Sequence, residues 1–332
     1  MRGKDTQHPQ PGLTDFIFHA YEHPSMPMSI QGLHLAFGGR RIACGGAAAS
    51  LALLLLLPAT TQAAGPPTQT RPKPVDLQLI DPKALVHQAL SNEAEMLDHQ
   101  GNYLRYQMHR VDQKGDVLRD VIETKDGTVA RLLARDGKPL TTQQDQAERD
   151  RLNGLLEHPD EFARHRKRDQ AEKDRARELL KQAPDAFLYS FTNPQHPAAG
   201  SMATQQQVEI EFKPRPDFKA DNMEGELLHS IDGHIWIDPT QQQIVRLEIH
   251  VCQDVALGWG LLARVYKGGT LTVQQAPVDQ QRWMMTQMDE HVTAKALMVK
   301  TIDMSGKQEA ANFQRVPGNM SYKDAIKMLL VR

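Results

Sequence analysis

Several common chemistries are missing from this chain, and each absence removes a class of function. Only two cysteines occur in 332 residues, Cys44 and Cys252. There is no paired Cys-x-x-C, no His-Glu-x-x-His, no phosphate-binding P-loop and no Gly-x-Ser-x-Gly elbow. The expectation is a protein that is not an enzyme and uses neither cofactor nor metal. Charge of one sign is missing too: the net charge is −2, so there is no bulk electrostatic case for nucleic acid. Long apolar runs are also lacking. The longest spans 17 residues, 42–58, and is diluted by Gly45, Gly46 and Ser50. A membrane-spanning helix wants about 20.

That short run reads instead as the core of a secretory signal. Arg40 and Arg41 precede it, and Thr61-Gln62-Ala63 places small residues at the −3 and −1 positions of a cleavage site. Residues 28–63 are therefore expected to be a signal peptide, with cleavage near Ala63. Residues 1–27 precede the signal and contain Met26 just before Met28, so the expected start is Met26 or Met28. The two arginines also admit a twin-arginine reading, which Ile42-Ala43-Cys44 fits poorly. Cleavage leaves Cys252 alone, so no intramolecular disulfide can form even in an oxidising compartment. No integral span remains.

Beyond a Pro-rich linker at residues 64–80 the pattern predicts one domain, 81–332. Asp81-Pro82 opens a helix, with Asp as N-cap and Pro in the first turn. Its apolar residues Leu85, Ala89 and Leu90 keep helical spacing, and it is expected to end near Gly101. The period then changes to two. Leu104, Tyr106 and Met108 alternate with polar residues, and Asp126-Gly127 and Asp136-Gly137 mark tight turns. Residues 141–182 interrupt the strands with a charged helical hairpin divided at Pro159. Alternation resumes at Phe187 and is cleanest at Val245, Leu247, Ile249 and Val251. The last strands are expected at 283–288 and 296–304, and a short helix capped by Ser321 closes the chain. About ten strands in sequential hairpins predict a mainly antiparallel sheet. The fold class is α+β: a curved sheet, as a half-open barrel, wrapped around the N-terminal helix, with the hairpin inserted.

Three patterns resemble chemistry and are set aside. Gly258 to Ala263 match the dinucleotide fingerprint, but strands surround them where a helix is required. His229 and His234 straddle a turn at Asp232, which suits solvated histidines better than a metal site. Cys252 on a strand reads as inert packing, and His250 would point to the opposite face.

One segment carries a resemblance. Gly233-His-Ile-Trp-Ile-Asp-Pro-Thr240, followed by Ile244-Val-Arg-Leu-Glu248, resembles the Gly-x-hydrophobic-Trp-hydrophobic-Asp pattern of LolA/LolB-like periplasmic proteins, the lipoprotein-localisation superfamily. The resemblance implies a curved half-barrel holding a helix, whose apolar concave face shields acyl chains. It covers about Gly233 to Glu248, and the charged hairpin departs from the smaller carriers. The implied function is a periplasmic protein that binds a lipid, acyl chain or lipoprotein. The alternative is an envelope sensor using residues 141–182 as its partner surface. Soft apolar residues near the last strands are the candidate ligand contacts: Trp259, Leu261, Leu262, Trp283 and Met285.

Overall fold

The computed structural model describes residues 80–97, 101–192, 207–257, 263–279, 282–296 and 300–331. The expected signal peptide and nearly all of the Pro-rich linker lie outside the described residues. Five helices are described: α1 (Pro82–Met96), α2 (Thr142–Glu157), α3 (Pro159–Ala186), α4 (Met223–Leu228) and α5 (Tyr322–Leu330). The strands are β1 (Leu104–Asp112), β2 (Gly115–Thr124), β3 (Gly127–Arg135), β4 (Lys138–Pro139), β5 (Phe187–Phe191), β6 (Val208–Pro214), β7 (Ile231–Asp238), β8 (Gln243–Val251), β9 (Val255–Leu257), β10 (Ala263–Val265), β11 (Thr270–Asp279), β12 (Arg282–Ala296) and β13 (Lys300–Arg315).

The architecture is α+β, with one large antiparallel sheet that does not close on itself. Its order is β4-β3-β2-β1-β13-β12-β11-β8-β7-β6-β5, and the short β9–β10 ribbon joins through β12. Most neighbours are consecutive hairpin partners. The exceptions on this path are β8–β11 and β1–β13, and the second ties the ends of the sheet-forming chain together, in register from Leu104↔Arg315 to Asp112↔Gly306.

Local chemistry sets most boundaries. The Asp81 carboxylate accepts from the Lys83 and Ala84 amides and caps α1. That helix stops at Met96 with Leu97 as its cap, short of the expected Gly101. Asp136 and Gly137 both take positive φ, 53° and 70°, as a two-residue hairpin turn demands. Thr141 and Gln144 form a reciprocal capping box at α2. Ser321 caps α5 through the Asp324 amide. The two last strands run to 15 and 16 residues, well beyond the expected 283–288 and 296–304.

Two separate cores hold the sheet to its helices. The larger packs α1, the C-terminal half of α3 and α4 against β5–β8, β11 and Met288 of β12. The smaller packs α2, the start of α3 and α5 against Ile122 and Val129. At 28 residues, α3 is about 42 Å long. It therefore runs from Phe162 in the second core, stacked on Tyr322 at 3.9 Å, to Leu179 and Leu180 in the first. The charged hairpin is thus part of both cores and not a surface appendage. It also shields a sheet edge: Glu148 accepts the Leu132 amide at 2.7 Å, and Arg151 donates to the Ala130 carbonyl at 2.7 Å.

The Gly–Trp–Asp segment lies on the β7–β8 hairpin, and each of its residues has a structural task. A Cβ on Gly233 would stand 1.9 Å from the Glu248 carbonyl oxygen and 2.9 Å from Phe212. Trp236 is buried with Val245 and Trp283, and Arg246 lies over its ring. Asp238 accepts the Thr240 and Gln241 amides and forms the turn. Gly233→Ala is expected to push β7 off β8 and cost about 1–3 kcal/mol, as forced backbone strain does. A urea midpoint equal to wild type would show that the hairpin absorbs the methyl group.

Candidate functional site

The larger core does not pack solid. Between α1, α3 and the sheet lies a cavity of about 60 Å³, lined by Val86 and Leu90 of α1, Leu179 and Ala183 of α3, and Phe187, Phe212, Ile235, Leu247 and Ile249 of the strands. Helical spacing on α1 and strict alternation on β7 and β8 aim these side chains at one volume. Tyr189 is the polar group in the lining, and its hydroxyl donates to the Ala183 carbonyl at 2.7 Å. Burial pushes that phenol upward from its ordinary pKa, so it stays neutral. With its hydroxyl spent on the backbone, the wall offers an entering ligand almost no free hydrogen-bonding group.

Farther along α1, an ionisable residue enters the core. Glu93 is fully buried, and neither carboxylate oxygen has a hydrogen-bond partner. Burial raises its pKa well above the ordinary carboxylate range. The Ile244 backbone and the Gln275 amide lie close enough to oppose that rise in part, although neither closes a hydrogen bond of good geometry.

Of the residues expected to contact ligand, Trp259, Leu261 and Leu262 lie outside the described residues. Trp283 is buried with Trp236 and Val245, its indole N–H donating to Gln241 at 3.1 Å. Met285 packs against the larger core. Neither lines the cavity. The lining instead comes from α1, α3, α4 and β5–β8, whose residues look like ordinary core in sequence. Their signal was the alternation itself, which does not separate a hollow from a packed interior.

Four groups capable of chemistry, Cys252, Ser230, Asp254 and His234, are each engaged in structural contacts. The Cys252 thiol lies just past β8, bonds to the Ser230 carbonyl, and has its pKa raised by burial and by Asp232, opposite to what a nucleophile needs. Ser230 donates its hydroxyl proton to the Glu226 carbonyl at 3.0 Å. Asp254 is held by Arg264 and the Lys267 amide, which lower its pKa. His234 pairs with Glu209 at 2.9 Å and stacks near Trp236. Among the described residues no three His, Cys, Asp or Glu side chains converge as metal ligands, and no helix is long and apolar enough to cross a membrane. The glycine fingerprint ends at Ala263, which begins a strand where nucleotide binding requires a helix.

No protein-family model matches the chain, and no match was found among curated proteins.

Proposed function

We propose that this chain is an exported protein of the bacterial envelope that holds an acyl chain in the apolar concavity of a LolA/LolB-like half-barrel. The observation that carries the reading is the cavity beneath α3. Its walls are apolar, and on the helix side it is closed largely by Ala176, Leu179, Leu180 and Ala183. Curvature is supported by the Arg282–Glu123 ion pair. It joins β12 to β2 across two intervening strands, a span of about 14 Å on a flat sheet.

Size decides how a ligand enters. At about 60 Å³ the cavity is well below the ~150 Å³ that admits benzene. An acyl chain must therefore displace the C-terminal half of α3. Ten methylenes removed from water contribute about 8 kcal/mol. Exposing two leucines and two alanines costs roughly 4–7 kcal/mol on the same scale. The exchange is close to balanced, which suits a carrier that must also release. In this reading the ligand is apolar, the compartment is the periplasm, and the Ile42-to-Pro58 run is the export signal.

The test is displacement of a fluorescent apolar probe by palmitate, using the mature chain. Wild type is expected to bind in the micromolar range. Ala183→Leu fills the cavity and is expected to weaken binding at least tenfold while leaving the urea midpoint unchanged or higher. A wild-type protein that ignores palmitate sinks the proposal.

A further inference from the structure

The opposite half of the sheet holds a buried arginine with two nitrogens that lack a hydrogen-bond partner. Arg119 lies on β2, opposite Met108 of β1 and Leu132 of β3, where the β2–β3 register shifts between Leu118 and Arg119. Such irregularities re-aim a side chain. The residue is only 7% exposed, and its Nε and Nη1 have no hydrogen-bond partner. Burying an unpaired cation is costly, so a fold rarely retains one without use.

The neighbouring charges deepen the imbalance. Arg110, Arg151 and Arg135 all act electrostatically on Arg119, and Glu148 is the carboxylate that offsets them. Burial and then the Arg110 charge hold the Arg119 guanidinium below its ordinary pKa. Glu148 is already spent: it accepts the Leu132 amide and both Nε and Nη2 of Arg151. Arg110 is paired with Asp112 and Glu290. Arg151 keeps one buried nitrogen, Nη1, without an acceptor. Three buried guanidinium nitrogens from two side chains therefore lack acceptors in one neighbourhood, with the exposed Arg135 at its rim.

We infer that Arg119, Arg151 and Arg135 form a binding site for a phosphate-type oxyanion. A tetrahedral dianion has enough oxygens to accept from two guanidinium groups at once. It also matches the positive charges of Arg119 and Arg135, beside which Glu148 is already engaged by Arg151. A planar carboxylate supplies one charge and two oxygens, which is less than this set requires. The phosphate belongs either to a free ion or to a lipid headgroup. The site stands on its own donors and does not depend on the acyl-chain reading.

Thermal unfolding of the mature chain in phosphate-free buffer, titrated with inorganic phosphate at constant ionic strength, tests it. Wild-type Tm is expected to rise saturably with phosphate and to ignore chloride. Arg119→Met removes the unpaired charge, so its Tm without phosphate is expected about 2–4 °C above wild type, with the phosphate response lost. Arg135→Gln, at the exposed rim, is expected to keep the wild-type Tm and weaken phosphate binding several-fold. Vesicles of phosphatidylcholine with and without phosphatidylglycerol identify the source. Retention by phosphatidylglycerol that Arg119→Met abolishes assigns a headgroup, and a response to free phosphate alone assigns the soluble ion. Wild type that ignores both phosphate and vesicles overturns the site. So does an Arg119→Met protein that melts lower than wild type and still responds.

Discussion

Glu123→Ala is expected to lose about 3–5 kcal/mol of stability, the cost of breaking a buried ion pair from one side. Arg282 is 1% exposed, and its guanidinium meets both Glu123 oxygens, at 2.7 and 2.9 Å. The same guanidinium donates to the Asn102 carbonyl, and Glu123 also accepts the Leu104 amide at 3.0 Å. Four segments are joined at one point: the ends of β2 and β12, the start of β1 and the turn before it. Removing the carboxylate leaves a cation that water cannot reach. Removing both charges is much milder, because the cost lies in the orphan and not in the absence of the pair. Arg282→Met with Glu123→Leu is therefore expected to recover most of the loss. Urea unfolding followed by tryptophan fluorescence measures both, since Trp283 is adjacent. A Glu123→Ala midpoint within about 1 kcal/mol of wild type would mean that the pair holds nothing in place.

That pair also marks how far the sequence could be read. Glu123 and Arg282 are 159 residues apart, and no local pattern links them. Elements with a local cause were legible. Asp81-Pro82 began α1, Pro159 divided the hairpin, Asp136-Gly137 turned, Ser321 capped α5, and the alternation on β8 held over Leu247, Ile249 and Val251. At the register shift Ile244 joins them in the larger core, and Val245 packs with Trp236 and Trp283 instead. Where tertiary pairing supplies the stability, the sequence understated the structure. β13 is paired along nearly its whole length, to β12 over residues 300–309 and to β1 over residues 306–315, so its backbone is satisfied by neighbours whatever its side chains are. Gln308, Glu309 and Asn312 continue the strand through residues that read as loop. β9 and β10 are three residues each, too short for any period to register. The hairpin was legible as charged helices, but its second role was not. Only Phe162 and a few leucines and alanines reach the cores, at positions an ordinary amphipathic helix also fills.

The candidate sites were harder to see for the same reason. A cavity is a property of several elements meeting imperfectly, and its lining residues are individually ordinary. Arg119 sits in a strand among other polar residues, and only its burial and the lack of an acceptor distinguish it. Glu93 reads as one of several polar positions on α1, yet the fold turns it inward. A charged residue placed inside against the helical pattern is where sequence logic and stability part company, and functional or strained sites are the usual reason.

Glu93→Leu is expected to stabilise the protein, by roughly 1–3 kcal/mol at neutral pH and above, the desolvation cost of a buried polar group without a partner. The direction follows from proton binding. In the unfolded chain Glu93 titrates near the ordinary value, about 4.3. In the folded chain burial raises it well above its usual range. Across the interval between the two values the native state holds a proton that the unfolded state has released, so stability falls as pH rises through it. Below the unfolded value both states are protonated, and the penalty shrinks to that of a neutral, poorly hydrogen-bonded carboxyl. Glu93→Gln, which cannot ionise, is expected to match wild type at pH 4 and to exceed it by a margin that grows with pH until the folded value is passed. Gln275 amplifies the effect, because both of its amide atoms also lack partners, and Glu93→Leu combined with Gln275→Leu is expected to exceed either change alone. The measurement is the urea midpoint of wild type, Glu93→Gln and Glu93→Leu from pH 4 to pH 9. Parallel curves with no pH-dependent gap would place an ordinary, solvated carboxylate at Glu93 and remove the argument for a buried one.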